Sequence, residues 1–153
     1  EGSMLKLYPF WAAFAAWCVA QAIKPFVYYI KNKKWSWYVI LASGGWPSSH
    51  SATSIALANS VGMQEGYSST FFAIALTVAL ITIYDAANVR FYAGQNIMVT
   101  KQLIHDVQVI TGEHLDDPIY QTKMKETLGH KWNEVFGGII LGFVVSYLFY
   151  MFK

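Results

Sequence analysis

The run Pro47-Ser48-Ser49-His50 places two hydroxyls and an imidazole where a helix is expected to begin. Proline is favoured at a helix start, and the first backbone N–H groups of a helix have no partner within it. With the hydroxyls and the helix dipole, these groups favour an anion. His50 can then donate a proton near neutral pH. An ordinary helix cap with an interfacial histidine is the alternative, and the four residues alone do not decide between them.

His130 and Glu134 are four residues apart, so they lie on one face of a predicted helix. A carboxylate that accepts a hydrogen bond from one imidazole nitrogen fixes the tautomer and leaves the other nitrogen nucleophilic. The alternative is a surface pair at a helix start, where acidic residues are common. The spacing therefore offers His130 as a nucleophile without requiring it.

Two cations and one carboxylate complete the candidate residues. Lys24 and Arg90 could both hold the oxygens of an anion, Arg90 through its planar guanidinium. Each could equally extend toward lipid headgroups. Asp85 is costly near the end of an apolar helix unless it is paired. Its candidate partners are Arg90 and Lys24, in an ion pair that serves either structure or catalysis.

The composition is unlike that of a soluble domain. Hydrophobic residues make up 55% of the 153 residues and charged residues 13%, against roughly 25% charged in soluble proteins. Charges are sparse over residues 9–91, dense over 101–131 and absent over 135–152. This blockwise pattern predicts membrane segments interrupted by one polar insert.

The chain is expected to form one domain. The opening Glu1-Gly2-Ser3 before Met4 is typical of a cleavage remnant from an expression vector. Residues 4–153 are then a single membrane-embedded domain with an insert at about 91–130. The single cysteine, Cys18, lies in an apolar run and is interpreted as a packing or lipid-facing residue.

The apolar segments predict an all-α membrane bundle with about four embedded helices, at residues 8–30, 49–63, 69–89 and 135–152. The second segment is rich in small and polar residues, which suits close packing between other helices. The Gly138-x-x-x-Gly142 spacing in the last segment also permits close helix approach, although this motif is weak.

The insert is expected to hold two helices at the membrane surface. The first covers residues 95–111 and ends at Gly112, and the second covers residues 119–128 between Asp117-Pro118 and Gly129. A ligand-rich cluster lies between them, and its members are Glu113, His114, Asp116 and Asp117. The cluster has no recognised metal-ligand spacing, so a solvated loop is favoured over a metal site.

Alternating crossings would gather the unusual residues at one membrane face. That face would carry Lys24, Pro47-Ser48-Ser49-His50, Asp85, Arg90 and His130. It would also hold nine of the eleven lysines and arginines, and the other face would hold only Lys6 and Lys153. By the positive-inside rule, the face with the candidate residues is predicted to be cytoplasmic.

Three runs of residues resemble the type-2 phosphatidic acid phosphatase superfamily, which also includes vanadium haloperoxidases. They are Gly44-Gly45-Trp46-Pro47-Ser48-Ser49-His50-Ser51-Ala52-Thr53, Tyr84-Asp85-Ala86-Ala87-Asn88-Val89-Arg90 and Leu128-Gly129-His130. The chain looks like a divergent small bacterial membrane branch of that superfamily, and the likeness covers nearly all of it from Met4 onward. It departs from the usual pattern in having Ser49 for glycine, Glu134 for aspartate and a much wider spacing between Arg90 and His130.

The resemblance implies a role for each candidate residue. His130 would form a phosphohistidine and Glu134 would orient it, while His50 would be the general acid. The phosphate oxygens would be held by Lys24, Ser48, Ser49 and Arg90, with Asp85 in support. No metal or other cofactor is implied.

The predicted function is a phosphatase of a bacterial cell membrane that hydrolyses a lipid phosphate monoester or pyrophosphate. Its partners would be phosphorylated or anionic lipids, because the basic cluster at Lys31, Lys33 and Lys34 beside a membrane segment suits anionic lipid better than nucleic acid. A homo-oligomer is compatible with the sequence. The alternative is a non-catalytic membrane protein of the same fold that binds lipid headgroups or anions. A haloperoxidase is disfavoured because the chain lacks the large soluble scaffold of those enzymes.

Overall fold

The computed structural model describes residues 7–41, 44–113, 115, 120 and 129–152. Within these ranges all regular structure is helical. The five α-helices are α1 (Tyr8–Asn32), α2 (Ser49–Glu65), α3 (Thr70–Tyr84), α4 (Arg90–Thr111) and α5 (Trp132–Met151). A short 3₁₀ helix covers Trp37–Leu41, and a π-helical turn at Asp85–Val89 joins α3 to α4.

Three of the described helices are long and apolar enough to cross a membrane. They are α1, α5 and the continuous helix Thr70–Thr111 formed by α3, the π turn and α4. The fourth predicted segment is α2, whose 17 residues pack among the others. The prediction of an all-α membrane bundle is therefore confirmed.

Small residues let α2 occupy the centre of the bundle, where it packs against α1, α3 and α5. Its Ala52, Ala56 and Ser60 are completely buried. On α5, a methyl group added to Gly142 would lie 2.6 Å from the carbonyl oxygen of Ala52. The glycine spacing therefore does support a close helix approach, as expected where backbones rather than long side chains meet.

The outer surface of the bundle is built from large apolar side chains. Phe71 and Ile140 are each 65% exposed, which is the inverse of a soluble protein and typical of helices that face lipid. The core is instead rich in alanine, glycine and serine, with a few aliphatic side chains such as Ile55, Ile83 and Val135. Helix association therefore depends on close backbone packing, with the large side chains left to contact hydrocarbon.

The predicted boundary between the third segment and the insert is wrong. No break separates residues 69–89 from a helix at 95–111, because α4 begins at Arg90 directly after the π turn. Residues 85–91 contain no glycine or proline that would end a helix. Asp85, the first charge after the apolar run, marks the point where the sequence becomes more polar, and the helix continues past it. At about 1.5 Å per residue the 42-residue helix measures roughly 63 Å, so α4 must leave a hydrocarbon core of ~30 Å.

The other boundaries differ by a few residues. α1 continues through Pro25 to Asn32, two residues beyond the predicted end, and α5 starts at Trp132 instead of residue 135. Gly112 ends α4 in the left-handed conformation, as predicted. The second predicted insert helix, at residues 119–128, lies almost entirely outside the described residues. Of the ligand-rich cluster, the structure describes Glu113 alone.

A polar network closes the end of the bundle that lies away from the Pro47-Ser48-Ser49-His50 run. The Asn59 side-chain amide donates to the Ser146 hydroxyl at 2.9 Å, and its carbonyl oxygen accepts from the Tyr67 hydroxyl at 2.9 Å. The Ser146 hydroxyl donates in turn to the Phe143 carbonyl. The Tyr8 hydroxyl donates to the Ser146 carbonyl at 3.3 Å. This network, named the distal network below, ties α1, α2 and α5 together.

Candidate active site

Ser48 is the N-cap of α2, and it is completely buried. Its hydroxyl oxygen accepts hydrogen bonds from the Ser51 backbone N–H at 3.3 Å and from the Ser51 hydroxyl at 3.0 Å. A hydroxyl has one donor and two acceptor positions, so these bonds leave the Ser48 proton to donate elsewhere. Capping and anion binding are therefore compatible at this residue.

His130 and Glu134 form the hydrogen bond that their spacing predicts. The distance from His130 Nδ1 to Glu134 Oε2 is 3.0 Å, and the side chains of the two residues are 0% and 14% exposed. Because a carboxylate only accepts, Nδ1 carries the proton and Nε2 of the neutral imidazole keeps its lone pair. That nitrogen is the one available for attack.

His50 faces this same nitrogen. Its Nδ1 lies 3.3 Å from His130 Nε2, and the two rings meet at 67° with centroids 5.5 Å apart. Since His130 Nε2 is the acceptor in this arrangement, the proton belongs to His50 Nδ1. The structure thus aligns a hydrogen-bonded series from His50 through His130 to Glu134.

The Glu134 carboxylate is also fixed by the backbone. It accepts from the Lys131 N–H at 3.3 Å, which caps the start of α5, and from the backbone of Gly45. Its main-chain carbonyl accepts from the Ser48 N–H at 2.9 Å. Gly45 adopts a positive φ of 97°, which glycine permits without strain. The loop before α2 therefore holds the start of α5 in place.

His130 is held from the opposite side by the π turn. Its backbone N–H donates to the Ala86 carbonyl at 2.8 Å. A methyl group on the neighbouring Gly129 would lie 2.8 Å from the Arg90 carbonyl carbon. Arg90 and His130 are forty positions apart in sequence, yet the backbone brings their surroundings into contact.

The π turn also explains the partner of Asp85. Arg90 Nε donates to Asp85 Oδ2 at 2.6 Å, with both side chains partly exposed. In an α-helix residues five apart point about 140° away from each other. The i to i+5 hydrogen bonding of a π turn brings such a pair to one side, and π turns are frequent at functional sites. Of the two predicted partners of Asp85, the structure selects Arg90.

Lys24 enters the same region from α1. It is 3% exposed, a degree of burial that is unusual for lysine. Its charge interacts with those of Glu134 and His50. The charges of Arg90 and Asp85 also act on His50. Cations from α1 and α4 therefore flank the paired histidines.

A cavity of about 380 Å³ adjoins Lys24. Its wall consists of one face of α1 and the loop before α2, with the residues Lys24, Val27, Tyr28, Lys31, Val39, Gly44, Gly45 and Trp46. Most of the wall is apolar, and Lys24 and Lys31 add positive charge that suits an anionic group.

The predicted site residues thus gather in one region, with Lys24, Ser48, Ser49, His50, Asp85, Arg90, His130 and Glu134 drawn from four helices and the π turn. Sequence reasoning missed two contributors. Gly45 supplies a backbone donor to Glu134, and Ser51 donates its hydroxyl to Ser48. The positive φ of Gly45 is signalled by Gly44-Gly45, whereas Ser51 carries no signal beyond its position three residues after the cap.

No group of three or more His, Cys, Asp or Glu side chains that could hold a metal ion occurs among the described residues. The ionisable groups at the site comprise two imidazoles, two carboxylates and two cations. This set suits an anion with transferable protons.

A family model described as the Divergent PAP2 family matches residues 5–145. The chain belongs to this family. The chain is also similar to the uncharacterized membrane protein YuiD of Bacillus subtilis (strain 168), to which it is 37% identical over 95% of this chain and 98% of that protein. No solved structure matches the chain.

Membership of the Divergent PAP2 family agrees with the resemblance seen in the sequence. It makes the chain a PAP2-like membrane protein with transmembrane helices. The contact of Gly129 with the backbone at Arg90 shows how the wide separation of the second and third runs is compatible with a single site.

Proposed function

We propose that the protein is a phosphatase that hydrolyses a lipid phosphate monoester or pyrophosphate through a phosphohistidine intermediate. The observation that carries this proposal is the series His50, His130 and Glu134, in which the His130 Nε2 lone pair and a proton on His50 face each other. The family supports a phosphatase-like membrane protein in general terms.

In the first step His130 Nε2 attacks phosphorus, and the bond from phosphorus to the leaving oxygen breaks. His50 acts as the imidazolium, with a proton on each ring nitrogen; it gives one proton to that oxygen and becomes neutral, so the lipid leaves as a neutral alcohol or as a monophosphate. Glu134 holds the Nδ1 proton of His130 and stabilises the positive charge that develops on the ring. Lys24, Arg90, Ser48 and Ser49 hold the phosphate oxygens.

In the second step water attacks the phosphohistidine. His50, now without its proton, accepts one from the water while the bond between phosphorus and Nε2 breaks. Inorganic phosphate is released and both histidines return to their starting protonation. The reacting atoms need to approach within about 3–3.5 Å, so the two imidazoles must separate to admit a phosphoryl group between them.

The substrate would be a membrane lipid, reached from the cytoplasmic face of a bacterial membrane. Counting membrane crossings in the sequence assigns nine of the eleven lysines and arginines to the side of the site, and this excess supports the orientation. No nucleic acid is proposed as a partner, and a homo-oligomer remains compatible with this activity.

The test is phosphate release by the purified protein in lipid vesicles or detergent. Substrates should include phosphatidic acid, phosphatidylglycerol phosphate and polyprenyl phosphates. We expect turnover that vanadate inhibits, and an acid-labile phosphoenzyme after rapid quenching. His130→Ala should lower kcat by roughly 10⁴-fold or more.

His105→Ala is the matched control, because His105 lies on α4 with a 70% exposed side chain and pairs with Asp106. It should retain full activity. Full activity of His130→Ala would contradict the mechanism. Lipid binding without turnover across the whole panel would instead favour the alternative of a non-catalytic headgroup-binding protein.

A further inference from the structure

A groove of about 680 Å³ runs along α3 and the π turn to the start of α5. It is lined by Leu80, Ile81, Ile83, Tyr84, Asp85, Val89 and Trp132, of which Asp85 alone is charged. Its volume falls within the roughly 300–1,000 Å³ of small-molecule sites. None of the steps proposed above uses its apolar wall.

The position of the groove determines what can enter it. α3 belongs to a candidate membrane span, and Leu80 and Ile81 on the groove wall are 59% and 64% exposed. Such side chains on a spanning helix contact lipid hydrocarbon. Residues 80–89 cover about 14 Å of helix, roughly half of the ~30 Å hydrocarbon core. The groove is therefore about as long as one leaflet is deep.

One end of the groove is polar and meets the candidate active site. Asp85 in its wall pairs with Arg90, and both charges act on His50. Trp132 follows His130 by two residues at the start of α5. The one charge in the groove wall, Asp85, is paired with Arg90, so this end of the groove lies beside a cation proposed to hold the phosphate.

We propose that this groove binds the hydrocarbon chain of the lipid whose phosphate occupies the site between His50 and His130. The inference rests on the proposed function and assigns the chain-binding part of its substrate. The cavity beside Lys24 holds about 380 Å³ against about 680 Å³ for the groove, and two lysines add charge to its wall, so the groove is the better fit for a hydrocarbon chain. The protein thus recognises the hydrocarbon chain of its substrate as well as the phosphate. A short-chain lipid phosphate lacks the contacts with the groove.

The experiment fills the groove with a larger side chain. Ile81→Trp should raise KM for dioleoyl phosphatidic acid about tenfold, a loss equal to the burial of one or two methylene groups. KM for dihexanoyl phosphatidic acid and kcat for both lipids should change less than about twofold, because the short chains do not extend along the groove.

The control is Ile74→Trp. Ile74 lies two turns earlier on the same face of α3, is 57% exposed, and does not line the groove. It should leave KM for both lipids unchanged. Leu80→Trp serves as the second groove variant if Ile81→Trp does not fold. Equal losses on long- and short-chain lipids, or no loss on either, would overturn the proposal.

A second measurement separates this proposal from the proposed function. Equilibrium binding of non-hydrolysable phosphonate analogues with dioleoyl and dihexanoyl chains needs no turnover. Tighter binding of the long-chain analogue, weakened about tenfold by Ile81→Trp alone, supports the groove even if no phosphatase activity exists. Binding that does not depend on chain length contradicts the groove even if the protein is an active phosphatase.

Discussion

α2 carries a polar cluster near each of its ends, and both clusters reach α5. In the distal network, Asn59 uses its amide and its carbonyl, and its partners Ser146 and Tyr67 are neutral hydroxyls. At the other end, His50 and His130 are surrounded by Lys24, Arg90, Asp85 and Glu134. The distal network consists of fixed dipoles that satisfy one another. The candidate site instead contains charged and ionisable side chains.

This difference indicates different purposes for two clusters built on the same pair of helices. Neutral polar groups that are hydrogen bonded to one another stabilise a helix interface and carry no net charge. The buried Lys24 and His130 cost free energy to desolvate, and such groups are retained where an ionic ligand compensates for that cost. We therefore expect substitutions at the candidate site to change catalysis, and substitutions in the distal network to change stability.

Among the substitutions that test the difference between the two clusters, Glu134→Gln is expected to lower kcat the most. The neutral amide cannot stabilise positive charge on the His130 ring, and its NH₂ can donate to Nδ1, which favours the tautomer whose Nε2 carries the proton. kcat should fall roughly 10³-fold with KM little changed. Glu134→Asp is the control, because it keeps the carboxylate and should recover part of kcat. Steady-state kinetics with phosphatidic acid measure both values, and equal activity of the amide and acid variants would contradict this role.

A smaller effect is expected from His50→Gln, and it should depend on the leaving group. An alcohol needs a proton as it departs, so kcat for a lipid phosphate should fall roughly 10²-fold. p-Nitrophenol leaves readily as an anion, so hydrolysis of p-nitrophenyl phosphate should fall only a few-fold. The ratio of the two rates is the measurement. An identical loss with both substrates would assign His50 to phosphate binding or structure instead of proton donation.

The smallest effect on catalysis is expected from Asn59→Ala in the distal network. It removes one hydrogen bond to Ser146 and one from Tyr67. The free energy of unfolding should fall by about 1 kcal/mol, the scale of such bonds between membrane helices. kcat measured well below the unfolding temperature should stay within about twofold. A large loss of kcat in a folded variant would break the separation between the two clusters.

The sequence predicted best those features that depend on residue spacing within one helix. The pairing of His130 with Glu134, the start of α2 at Ser49, the role of Gly138-x-x-x-Gly142 and the end of α4 at Gly112 all follow from periods, start signals or stop signals within one helix. The gathering of the candidate residues followed from counting membrane crossings. Each of these inferences needed only the regular geometry of a helix or the thickness of a bilayer.

The contacts that no helical period encodes could not be predicted. The π turn has no proline or glycine to announce it, and it moves Arg90 beside Asp85 against the α-helical period. Gly45 donates to Glu134 from the loop before α2, and the His130 N–H donates to the Ala86 carbonyl in the π turn. Both bonds join segments that are far apart in the sequence. Such bonds involve peptide groups that every residue carries, so the residue type gives no signal.

The chain leaves the bundle after Arg90 and comes back at Gly129 to nearly the same point, where the two stretches of backbone touch. Packing therefore already joins the two ends of the segment between Arg90 and Gly129. Such a position accepts a change in the number of residues, or a fused module, without altering the geometry on either side. We therefore expect a change in the length of this segment to leave the contacts around Asp85, Ala86 and His130 intact.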